Sequence, residues 1–123
     1  MSVQKIAQTA ALEGLEDWGR VGKPLSEPAC RLRGWRQDIP GTAADIAGVW
    51  ECSPGSFRRD VAQGEVMHIL AGAGTFTPDG GLALAFAAGD SLFFPPLTTG
   101  TWEIRETVRK LYVLVPPQQE AGA

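Results

Sequence analysis

The sequence predicts an all-β domain, a sandwich or a jelly-roll barrel. Two observations carry this reading. Fifteen glycines and nine prolines among 123 residues fall as punctuation between short apolar runs, the pattern of a chain with many turns. The runs themselves are strand-length and several alternate apolar with polar residues, which places one face inward. Eight or more short strands at this spacing fit either architecture, and periodicity does not choose between them.

The N-terminal segment from Val3 to Trp18 is the exception to the β pattern. Ile6, Ala10, Leu12, Leu15 and Trp18 fall loosely at helical spacing, so a short helix is expected there. VGKPLSEPA, 21 to 29, reads as an extended connector because its glycine and prolines break both periodicities. CRLRGWR at 30 to 36, GVWEC at 48 to 52 and SFRRDV at 56 to 61 read as strands. EVMHILAG with its continuation TFT runs to PDGG at 78 to 81, the strongest hairpin signal in the chain. LALAFAAGD, SLFFPP, TGTWEIRE and VRKLYVLV complete the strands, and PPQQEAGA, 116 to 123, reads as a frayed tail.

The bulk numbers exclude several functions. A formal net charge of −3 argues against nucleic acid, which selects a basic face. Arg31, Arg33, Arg36, Arg58 and Arg59 are read as a solvated strand face in preference to a basic patch. The N-terminus, MSVQKIAQTA, lacks the apolar core of a signal peptide, and no run approaches the length of a membrane span, so a cytoplasmic location without membrane association is expected. Cys30 and Cys52 are then expected as reduced thiols. His68 is the only histidine, so one chain cannot assemble a site with two imidazole ligands.

From Gly48 to Val115 the chain resembles the cupin superfamily. Gly55, Glu65 and Gly72 keep the frame of the first cupin motif, and Gly89, Asp90 and Pro95 keep that of the second. GVWECSPG, TPDGG and TGTWE look like one branch, rich in small bacterial proteins without an assigned function. That branch is related to ureidoglycine aminohydrolase, a manganese enzyme. The resemblance implies one domain over 1–123: an arm and connector at 1–29, a double-stranded β-helix (cupin jelly-roll barrel) at 30–115 and a tail at 116–123. It also implies a homodimer, through barrel faces and exchanged N-terminal strands.

The departures from the family pattern bear on chemistry. The family's first two histidine positions fall at about Arg59 and Val61, and its last ligand position near Thr99 to Thr101. Only Glu65 remains of the usual set. One carboxylate and a hydroxyl are too few for a tight transition-metal site, so neither a metal nor another cofactor is expected.

Glu65 therefore needs another partner. The motif frame aims Arg59 and Glu65 at one point inside the barrel, and an ion pair on the pocket floor is expected. Strand alternation puts Glu65, Met67 and Ile69 inward, and Val66 and His68 outward unless a bulge turns His68 in. Trp50, Phe57 and Trp102 are candidate pocket walls, with core packing as the alternative. Phe86, Phe93 and Phe94 are assigned to the core. Lys110 and Tyr112 share a face that is either pocket-lining or exposed. Cys52 reads as a small buried hydrophobe. GAGTFTPDGG lies in a predicted hairpin and lacks the strand-to-helix turn that cradles phosphate. Asp79 and Asp90 read as turn carboxylates.

Two functions follow. The first is a metal-independent cupin binding a small polar metabolite through Trp50, Phe57, Arg59, Glu65 and Trp102, as a sensor or accessory protein. The alternative is an enzyme resembling ureidoglycine aminohydrolase or another small-metabolite cupin, with Glu65, Lys110 and Tyr112 as catalytic candidates for proton transfer.

Overall fold

The computed structural model describes residues 3–118. Among them a single 3-10 turn, Thr9–Ala11, precedes eight strands: β1 (Glu16–Arg20), β2 (Arg31–Arg36), β3 (Ala47–Cys52), β4 (Gly55–Asp60), β5 (Gly64–Pro78), β6 (Leu84–Ala87), β7 (Ser91–Phe94) and β8 (Thr99–Val115). All pairings are antiparallel.

Two long strands organise the rest. β5 and β8 pair with each other from Gly64↔Val115 to Pro78↔Gly100. The first part of β5 also pairs with β7, and its second part with β6. The first part of β8 pairs with β4, and its second part with β3. Each long strand thus serves both walls of the jelly roll. One wall runs β1, β2, β3, β8, β5, β7; the other runs β4, β8, β5, β6.

The change of wall falls at the AGAG run. Register shifts interrupt the β5–β8 ladder between Ile69 and Gly74, the extra residues that bend a strand at a corner. Gly72 has φ +88°, and a Cβ there would overlap the Thr107 carbonyl. Gly72 and Gly74 serve close backbone approach, to Thr107 and Glu103, and cradle no phosphate. PDGG forms the turn that returns the chain into β6.

Alternation decides what is buried. Met67, Ile69, Val108, Trp102, Phe76 and Phe86 form the core with Cys30 and Cys52, both free thiols. Phe86 and Phe94 are buried, but Phe93 is 73% exposed, which corrects its assignment to the core. Leu92 and Phe94 take the inner face of β7, leaving Phe93 beside Val66 on the outer face.

The expected N-terminal helix reduces to the one 3-10 turn. Gly14 and Gly19 adopt positive φ of 77° and 80°, which no helix accommodates. The Arg109 guanidinium bonds the carbonyls of Thr9, Ala10 and Leu12 from outside. Glu16–Arg20, within the segment read as an arm, joins the sheet beside β2 of its own chain. Trp18 lies over Gly34, where a Cβ would collide with the indole. Residues 116–118 of the tail have no regular structure, and the remainder lies outside the described residues. No described helix is long and apolar enough to cross a membrane.

The arginines of the strand faces are paired. Arg31 meets Asp17, Arg33 meets Glu51, Arg36 meets Asp45 and Arg58 meets Asp79. These four form the neutralised, solvated face expected from an acidic chain, and exposed pairs of this kind stabilise little; Arg59, assigned to the same face, is buried instead.

Candidate functional site

The inner faces of the two walls meet in a cavity of about 260 Å³. From β3, alternation turns Trp50 inward; from β4, Phe57 and Arg59; from β8, Trp102, Lys110 and Tyr112; from β5, Glu65. Every candidate binding residue and every candidate catalytic residue of the sequence reading borders this one space. His68 does not: it is exposed and bonds Ser91 Oγ through Nδ1 at 2.9 Å.

The aromatic walls are evenly spaced. Ring centroids lie 6.3 Å apart for Trp50 and Phe57, and 6.4 Å for both Trp50–Trp102 and Phe57–Trp102. Trp102 reaches behind this trio to Phe76, Phe86 and Phe94. Its ring therefore belongs to the wall and to the core at once, so both weighed readings of Trp102 hold together.

The floor is a three-member charge cluster, larger than the expected pair. Glu65 Oε1 faces Arg59 at 3.5 Å, while Glu65 Oε2 accepts a hydrogen bond from Lys110 Nζ at 2.6 Å. All three side chains are less than a tenth exposed. The expected Arg59–Glu65 contact is present, but Lys110 is the nearer and stronger partner. Lys110 stands across from Ile69 rather than Glu65 in the ladder, and its long stem covers the difference.

The two cations have different duties. Arg59 donates to the carbonyls of Thr98 at 2.7 Å, Gln63 at 3.2 Å and Val61 at 3.3 Å, and lies over the Phe94 ring at 4.9 Å. It ties down the loops that close this end of the barrel. Lys110 Nζ instead lies 4.3 Å from the Trp50 centroid, 5.3 Å from Trp102 and 6.0 Å from Tyr112. Those distances give cation–π attraction, strengthened by burial.

Around the rim stand Arg58, Asp60, Val61 and Leu114. Reading the sequence missed Arg58, Asp60 and Leu114 as lining groups; Arg58 and Asp60 flank Arg59 in the run RRD, which is their one signal. Arg58 is bonded to Asp79, and Lys23 to Asp60. Burial pushes the Tyr112 phenol up from its usual range, so it stays a neutral hydroxyl. Burial, with Cys30 beside it, pushes the Cys52 thiol far up. Cys52 is thus a small buried hydrophobe with little thiolate character.

The residues do not suit the metal that the cupin resemblance brings to mind. Among the described residues no three His, Cys, Asp or Glu side chains come together to hold an ion. Both oxygens of Glu65 already face cations, and Thr99 and Thr101 turn to Asp79 and Arg58.

The barrel and its end-on cavity are those of a cupin. A family model described as the EutQ-like cupin domain matches residues 41–112, more than half of the chain, and the chain belongs to that family. Its fold is similar to a DUF861-family protein of unknown function from Pseudomonas syringae, with a TM-score of 0.72 and 23% identity over 85% of this chain. The match covers 45% of that protein, so this chain spans less than half its length. A DUF861-family protein from Thermotoga maritima is 30% identical over 54% of this chain and 75% of its own, with a TM-score of 0.52. A protein assigned as ethanolamine utilization protein Q from Salmonella typhimurium is 24% identical, with a TM-score of 0.62 over 81% of this chain and 79% of its own. No curated protein matches the chain.

Proposed function

We propose that this chain is a metal-independent cupin that binds a small polar metabolite, as a sensor or accessory protein in the cytoplasm. The observation that supports it is the cavity, with a buried charge cluster on its floor and three aromatic rings as its walls. A few fixed polar groups within an apolar enclosure are the usual make-up of a small-molecule site. Elemental analysis of the protein, prepared without an affinity tag, tests the metal-independent part. Negligible metal is expected in the protein and in Glu65→Gln alike. Near-stoichiometric metal that disappears in the variant overturns it.

A second reading rests on the Lys110–Glu65 contact. An ammonium and a carboxylate at 2.6 Å, with the Tyr112 hydroxyl on the same wall, are placed to exchange a proton with a bound ureide or amide, as in an enzyme resembling ureidoglycine aminohydrolase. Turnover across such compounds favours this reading; saturable binding without turnover favours binding alone.

The proposal includes a homodimer. Val66 stands between Val113 and Phe93 on the outer face of the β3–β8–β5–β7 wall, with Leu111 and Val115 alongside, all partly or largely exposed. An apolar patch of this kind on a sheet face fits a second copy. Sedimentation of the protein beside Val66→Lys tests it: a dimer is expected that the variant converts to monomer, and a monomeric parent overturns it.

A further inference from the structure

The floor of the cavity carries unbalanced charge. Arg59 and Lys110 each bring one positive charge, and Glu65 brings one negative. The rim does not redress this, because Arg58 is matched by Asp79 and Asp60 by Lys23. One positive charge is left over inside a space walled by aromatic rings.

The position of that excess follows from the hydrogen bonds. Arg59 is committed to three backbone carbonyls and to Glu65. Lys110 has three N–H donors, and among the described residues Glu65 is the one acceptor it reaches. Two donors of a buried ammonium face the cavity and its π surfaces. A desolvated charge with unused donors gains most from an anionic acceptor.

Size and shape limit the anion further. About 260 Å³ is the volume of about nine waters at roughly 30 Å³ each, enough for one six-membered ring with a carboxylate. Trp50, Phe57 and Trp102 pack against one another at 6.3–6.4 Å and together offer one apolar aromatic wall. A single excess charge matches a monocarboxylate and leaves a dianion undercompensated.

We propose that the ligand is a small monocarboxylate with a flat or apolar body, its carboxylate held by Lys110 and its body against the wall formed by Trp50, Phe57 and Trp102. This deepens the small-molecule reading above and rests on it. Neutral isosteres leave the ammonium donors unmet, and cations meet the excess charge directly.

Titration of the full chain with benzoate, benzamide and benzylammonium, followed by calorimetry, tests the proposal. Benzoate is expected to bind saturably, benzamide at least tenfold more weakly, and benzylammonium not at all. Lys110→Met, where it still folds, is expected to bring benzoate down to the affinity of benzamide. The comparison of the three probes on the unaltered protein decides the matter if that variant does not fold. Equal affinity for benzoate and benzamide, or a preference for benzylammonium, overturns the carboxylate assignment and leaves the small-molecule reading standing. No binding of any probe counts against that reading itself, and the assignment falls with it.

Discussion

Lys110 Nζ lies 2.6 Å from Glu65 Oε2 under the Trp50 and Trp102 rings, with both side chains more than nine-tenths buried. The pair is worth more to the fold intact than either member alone. Removing one partner of a buried pair strands the other charge, at a cost of about 3–5 kcal/mol, whereas removing both is far milder. Glu65→Gln alone strands two buried cations, Arg59 and Lys110, and is expected to lose stability in that range by urea unfolding. Adding Lys110→Met removes one of the two stranded charges and should recover part of the loss, whereas Lys110→Met by itself leaves Glu65 paired with Arg59 and should cost less. A double variant as unstable as the two single losses combined would show that the contact carries no coupling.

Arg59 is expected to tolerate lysine poorly. The guanidinium spreads its donors over the carbonyls of Val61, Gln63 and Thr98 while its plane covers Phe94. An ammonium offers a point charge without that fork. Arg59→Lys should cost about 3 kcal/mol, from carbonyls left without donors. Unchanged thermal unfolding in this variant would remove Arg59 as the tie between the two loops.

Acid sensitivity should trace to Asp79. Hydrogen bonds from Arg58 and then Thr99 hold its carboxyl down at about 2, against about 3.9 for an unstructured aspartate. The folded value is the lower one, so its contribution is complete above about pH 4 and is lost as pH falls towards 2. Asp79→Asn should lack this part of the acid decline, seen as a flatter melting temperature between pH 4 and 2. Parallel curves for both proteins would place the acid sensitivity elsewhere.

The two thiols should be silent in the native protein. Burial raises both, and Cys52 is fully enclosed. Iodoacetamide at pH 8 is expected to label neither until denaturant is added, as read by intact mass. Rapid labelling of the folded chain would mean that this part of the core opens readily.

Much of the site was legible because a strand repeats every two residues. Once Glu65 was placed inward, Met67 and Ile69 had to follow and His68 had to face out, and the structure has them so. The partner of Glu65 was harder to see. Lys110 lies far along the chain, and its reach to Glu65 depends on the β5–β8 register and on stem length, neither of which a local pattern encodes. Phe93 escapes a reading by residue type because size and apolarity favour burial, while its strand presents it outward. Helical spacing near the N-terminus misled because Gly14 and Gly19 and the grip of Arg109 outweigh a loose periodicity.

The sharing of β5 and β8 between both walls has a kinetic consequence. Neither wall holds a complete set of neighbours until the other exists, and the first pairing in the ladder joins residues as far apart as Gly64 and Val115. Such distant closures must come before most of their reward, which slows folding to the millisecond-to-second range of non-local β topologies. The same interdependence leaves no half-folded wall to linger, so the chain should refold as one cooperative unit.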